Sequence, residues 1–240
     1  MKNMNLEKHI DAAMAAYQQA FSKLDKWRNE KSKAAEKVHE QEEKMTKDAA
    51  FTLHAEFVKE YEEKLRTIQS ELNEEVDKTE KAYMNEIADF YQPNGEAIDQ
   101  ADKALLDSGI LKKEELRAMI QKHGENPTML RIIGKDVKAH NIELDFSSVT
   151  ALKRAENAGQ KEADIFKSFR QLCRTVVGMG GSDSVSRELF LKSAVNAEEY
   201  AEDAKIEILK ASLYLDDEKK AKLETMEEAK KERNKNWVNL

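Results

Sequence analysis

Residues 28–48 read RNEKSKAAEKVHEQEEKMTKD, and the fold of the chain turns on them. They offer only Ala34, Ala35, Val38 and Met45 among many charges. On either side an apolar stripe runs at helical spacing. Upstream it is Leu6, Ile10, Met14 beside Ala13, Tyr17, Phe21 and Leu24, in steps of four and three. Downstream it is Leu53, Phe57, Tyr61, Leu65, Ile68, Leu72, Val76, Tyr83, Ile87 and Phe90. No glycine or proline interrupts residues 1–92. Local propensity therefore favours one continuous helix, about 130 Å long at the α-helical rise. The alternative is a helical hairpin that turns within 28–50. A shaft would need a second chain to cover its stripe, whereas a hairpin covers its own. Bulky Tyr17, Phe21 and Phe57 on the seam favour an antiparallel partner or a wider bundle.

The totals agree with an all-α chain. Of 240 residues, 36% are charged and 40% apolar, too polar for one thick core, yet the apolar residues are too periodic for disorder. Eight glycines and two prolines leave room for few sharp turns. Net charge is −7 with both signs interspersed, where a general nucleic-acid binder carries a basic excess. The single cysteine, Cys173, excludes an internal disulfide and suits a reducing compartment. The opening MKNMNLEKHI lacks an apolar signal core, and no run reaches the roughly 20 apolar residues of a membrane span. The expected setting is the cytoplasm or a virion.

Three regions are expected: an arm over 1–92, a three-helix module over 93–141 and a helical bundle over 142–240. Pro93-Asn94-Gly95 marks the first boundary. In the module, Gly109 and Gly124 are placed to end helices, and Asn126-Pro127 to start one. Leu105, Leu106, Ile110, Leu116, Met119, Ile120, Met129, Leu130, Ile133 and Val137 are its candidate core. Three short helices also fit a helix-turn-helix unit, and Lys112, Lys113, Arg117, Lys122, Arg131, Lys135 and Lys138 make it mildly basic. No helix rich in Arg, Asn and Gln is present to read bases.

The run LLDSGILKKEELRAMIQKHGENPTMLRIIGK, and NPTMLR most of all, follows a charged helical arm. In this it resembles helical proteins encoded among the virion-assembly genes of phages and prophages of Gram-positive bacteria. The resemblance covers about residues 1–140 and carries no catalytic signature. It implies a part in phage head assembly, scaffold-like or as a minor structural protein.

In the last region Asp145 or a serine just after it is set to cap one helix, and a stronger one is expected over 160–177. Ile165, Phe166, Phe169, Leu172, Cys173, Val176 and Val177 form its apolar face. Gly178-Met179-Gly180-Gly181-Ser182-Asp183-Ser184 is expected to be a loop, with Gly178 ending one helix and Asp183 or Ser184 starting the next. It lacks the Gly-Lys-Ser/Thr of a phosphate-binding loop. The next helix has an unbroken seam of Phe190, Ala194, Ala197, Ala201, Ala204, Ile208, Ala211 and Leu215. Alanines there admit a close neighbour. Asp216-Asp217 is expected to cap a final polar helix that carries Lys230, Lys231, Arg233 and Lys235 before Trp237, a basic end with an apolar tip suited to an acidic partner.

Catalytic chemistry is sparse. Glu36-Lys37-Val38-His39 has the ExxH spacing of helical di-iron sites, but no second copy exists. Cys173 sits on an apolar face far in sequence from the five histidines. The expectation is a non-enzymatic assembly protein without metal or cofactor. Leu6, Ile10, Tyr17, Phe21, Leu65, Leu72, Ala197, Ala201, Lys231, Arg233 and Trp237 are the candidate interaction residues. The expected partners are copies of itself and a capsid protein, not nucleic acid and not a membrane. A helical module that binds nucleic acid or inhibits a host protein is the alternative.

Overall fold

A computed structural model describes residues 4–212 and 217–238, with side chains through 233. Leu215, Asp216, Lys235 and Trp237 of the expected seam, cap and tip lie outside these described residues and side chains. The fold is all-α, with no strand among the described residues. Two long helices come first, α1 (Glu7–Glu42) and α2 (Lys47–Tyr91). After a 3₁₀ turn at Gly95–Ala97 come α3 (Gln100–Asp107), α4 (Lys113–Lys122), α5 (Pro127–Ala139), α6 (Phe146–Glu156), α7 (Gln160–Gly181), α8 (Arg187–Ala211) and α9 (Asp217–Val238).

The arm is a hairpin, not a shaft. It breaks at Glu43–Thr46, where the Lys44 and Met45 amides bond back to Gln41 and Glu42. The Thr46 hydroxyl accepts from the Ala49 amide and opens α2. A threonine cap is a weak local signal, so propensity pointed the other way. What decides it is the coverage that each helix gives the other. The Trp27 indole donates to the Tyr61 carbonyl at 3.0 Å, the Tyr61 hydroxyl to the Glu30 carbonyl at 3.3 Å, and Lys23 pairs with Glu71.

The chain forms two compact units. One comprises Lys8–Lys81 and Ser168–Ala201. Here the whole stripe of α1, from Ile10 through Trp27, is buried with Leu72 and Val76 of α2, Phe169, Cys173 and Val176 of α7, and Phe190 and Ala197 of α8. The Tyr17 ring meets Phe169 edge-on, with centroids 6.0 Å apart, and Phe21 meets Phe190 at 6.3 Å. Leu172 of the predicted α7 face is instead 45% exposed. Because Ala201 is buried, Ala201→Leu overpacks the seam and should cost about 1–3 kcal/mol. Chemical denaturation checks this, and an unshifted midpoint contradicts it.

The glycine run 178–181 is helical and belongs to α7, contrary to the expected loop. The reason is steric. A Cβ on Gly180 would lie 2.7 Å from the Phe190 ring and 2.8 Å from Leu24, so glycine lets helices come together at that level. Next comes Ser182–Ser186, and the Ser186 hydroxyl, rather than Asp183 or Ser184, receives the Leu189 amide and opens α8. Asp183 pairs with Lys31 at 2.6 Å.

The other unit holds the first residues through Glu7, Ala82–Lys167, and the residues from Glu202 onward. Leu106, Leu116, Met119, Ile120, Met129, Leu130 and Ile133 are buried as the sequence indicates, and α6 joins them through Leu152 and Ala155. Leu105 and Ile110 stay exposed. Gly109 ends α3 with φ +67°, Asn126 caps α5 and Asp145 caps α6, while Gly124 sits in a turn with ordinary φ. At the end of α2, Tyr91 rather than Phe90 is the buried aromatic. Helix α9 is held by Lys210–Glu227 and Lys230–Asp203 pairs at 2.9 and 2.8 Å.

Candidate functional site

The residues that looked chemically distinctive are mostly spent on structure. In NPTMLR, Asn126 accepts the Met129 amide and donates to the Ala97 carbonyl at 2.6 Å. Thr128 accepts the Asn94 amide at 3.1 Å. Met129 and Leu130 are fully buried. Arg131 donates to the carbonyls of Ala155 and Tyr91 at 2.7 and 2.9 Å, tying the end of α6 to the end of α2. Every residue of the motif thus makes a bond or is buried, and Pro127 also fits its helix start.

A polar knot joins α3 to α4. The Lys122 ammonium lies 2.9 Å from Asp99 and 2.7 Å from Asp102, and His123 Nε2 lies 2.6 Å from Asp102. The hydrogen bond from Lys122 holds both carboxyls below their usual range, aided at Asp102 by His123, and Asp99 also caps α3. Asp99, Asp102 and His123 bring potential ligand atoms within 4.8 Å of one another. Their negative charge is already answered by Lys122, so the cluster reads as an inter-helix tie.

The ExxH pair does not converge. His39 approaches Glu42 and Glu43 at 3.9 and 3.7 Å rather than Glu36, all on an exposed face. Cys173 is fully buried, and burial pushes its thiol up to about 12. At pH 8 its thiolate fraction falls about a thousand-fold below that of an ordinary thiol. Ellman's reagent should therefore leave the native protein unmodified and titrate one thiol in denaturant. Fast labelling of the native chain would contradict the burial.

Two devices, one buried and one half-buried, escaped the sequence reading. Glu162, 3% exposed, accepts the Tyr91 hydroxyl on its carboxylate at 2.7 Å and the Tyr83 hydroxyl on its backbone carbonyl at 2.6 Å. Burial raises both phenols. Arg28 caps α7: its guanidinium donates to the carbonyls of Met179, Gly180 and Ser182 at 3.1, 3.0 and 2.8 Å, and to that of Val185. A charge run gives no sign that one arginine serves a helix end about 150 residues away.

Of the predicted interaction residues, Leu6, Ile10, Tyr17, Phe21, Leu72, Ala197 and Ala201 are buried within the chain, and Leu65 is half-buried. Lys231 is exposed and Arg233 half-buried on α9; the Trp237 side chain is outside those described. A cleft of about 480 Å³ opens in the second unit, but its charges pair across it, Lys222 with Glu7 and Lys219 with Glu125.

Large apolar side chains are exposed at Phe146, Ile110 and Val195, and as a group on the hairpin. From Arg28 to Glu60 no residue is buried. Ala34, Val38, Leu53 and Phe57 are half-covered by the facing helix, while Phe51 is 78% exposed and Met45 and Val58 are also exposed. Against known proteins, no family model, curated protein or solved structure matches this chain.

Proposed function

We propose that the chain is a non-enzymatic assembly protein that self-associates through its helical hairpin and docks on a partner, as a scaffold-like or minor head protein of a phage would dock on a capsid protein. The observation that carries this is the half-covered hairpin, residues 28–60, with Phe51 set on its outside. An antiparallel helix pair of this length gains little from its own packing, and further helices are what normally complete it. The exposed Lys231 and the adjoining Arg233 give α9 a basic end for an acidic partner surface.

The Asp99, Asp102 and His123 cluster is tied up by Lys122, which favours a structural role for it over turnover. No described helix is long and apolar enough to cross a membrane. Of the basic residues of α4 and α5, Arg117 pairs with Asp145, Lys122 with Asp99 and Asp102, and Lys138 with Glu156, so these three give little to a nucleic-acid backbone. Light scattering over a concentration series tests the reading: oligomers support it, and a monomer at every concentration overturns it. Co-purification with the capsid protein of the source phage tests the docking step.

A further inference from the structure

Resting on that self-association reading, we infer that one stripe of α2 is an antiparallel, two-fold interface with a second copy of this chain, centred between His54 and Ala55. Lys47, Phe51, Ala55, Val58 and Glu62 stand at intervals of four, four, three and four. At 3.6 residues per turn they lie within about 80° of the helix circumference. All five are exposed, and the stripe lies on the outside of the pair rather than in the α1–α2 seam, where Leu53, Phe57 and Tyr61 are.

The order of the residues selects the occupant. A two-fold axis between residues 54 and 55 sets Phe51 against the second copy's Val58. It sets Ala55 against the second copy's His54 and Lys47 against the second copy's Glu62. All these pairings share one centre, so one rotation satisfies them together, apolar in the middle and oppositely charged at both ends. A parallel pairing would oppose Lys47 to Lys47 and Glu62 to Glu62, which is repulsive. Within its own chain Lys47 has no ion pair among the described residues, and Glu62 shares only an exposed contact with Arg66 at 3.3 Å. The stripe is thus complementary to itself, in one direction only.

The test uses the full chain. Sedimentation velocity should show that Phe51→Glu and Val58→Glu each weaken self-association by at least about tenfold, with unchanged helical circular dichroism because both side chains are outside the core. Lys47→Glu and Glu62→Lys should each weaken it, and the double variant should restore it, since the pair is merely reversed. Under mild oxidation Ala55→Cys should form a disulfide-linked dimer, being next to its own copy. Lys47→Cys should not, being about 22 Å from its counterpart. The buried Cys173 does not compete in either variant.

Crosslinking at Lys47→Cys but not at Ala55→Cys overturns the antiparallel order. Self-association that none of these substitutions alters overturns the stripe and leaves the assembly reading standing. A wild-type chain that stays monomeric overturns both. If either glutamate variant loses helicity, the cysteine pair alone decides.

Discussion

Gly159→Ala should lower the stability of the chain by about 2–5 kcal/mol, the largest effect expected of any one-carbon change here. Two causes add. Gly159 has φ +80°, a left-handed conformation that costs an alanine about 1–2 kcal/mol. Its Cβ would also lie 2.3 Å from Ile87 Cγ2 and 2.9 Å from the Tyr91 ring, both buried side chains with little room to retreat. The gain from a less flexible unfolded chain, about 0.4–1 kcal/mol, is too small to offset this. The matched substitution Gly178→Ala should have the opposite sign. Gly178 is helical, and a methyl group added there would meet nothing within 4 Å, so alanine should stabilise by about 0.5–1 kcal/mol. Urea denaturation followed by circular dichroism reads both. Equal midpoints for the two variants would mean that the turn between α6 and α7 is not held as described.

Arg28→Ala should cost about 2–4 kcal/mol, through the end of α7. Four carbonyls at the end of α7 and in the link after it lose a charged donor, and those of Met179 and Ser182 keep only a backbone amide at 3.2 and 3.5 Å. Water satisfies part of that loss because the site is half-exposed, which keeps the figure below the sum of separate charged bonds. Arg28→Lys should recover less than half, since an ammonium supplies the charge but not the planar fork that reaches several carbonyls. Hydrogen exchange should place the loosening at the last turn of α7 and the 182–186 link. Full recovery by lysine would reduce Arg28 to a charge at the helix dipole.

These two positions also mark where sequence reading stops. The helices themselves, the caps at Asn126 and Asp145 and the break at Gly109 follow from signals within four or five residues. The buried stripe from Ile10 to Trp27 was legible for the same reason, because periodicity states which face needs cover. It does not state what supplies the cover. Residues 28–48 contain no breaker, and the turn at Glu43–Thr46 follows from the cover that α1 and α2 give each other, as where Trp27 and Tyr61 bond across the pair. Likewise Gly178–Gly181 has loop composition, yet close approach of Leu24 and Phe190 to Gly180 keeps the segment helical.

The candidate interface was the least legible part. Phe51 and Val58 share helical spacing with Ala55, but they fall between the stronger stripe positions Leu53, Phe57 and Tyr61 and were masked by them. Only burial separates the two faces of α2. By itself the sequence determined an all-α chain, the main helical stretches and the apolar faces, because helix propensity, capping and periodicity act over a turn or two. Tertiary structure alone decided that the arm folds back, that Arg28, Arg131 and Glu162 serve distant helices, and which apolar side chains remain outside. Those outcomes depend on contacts between residues tens to more than a hundred and fifty positions apart, and no local pattern encodes which of them are made.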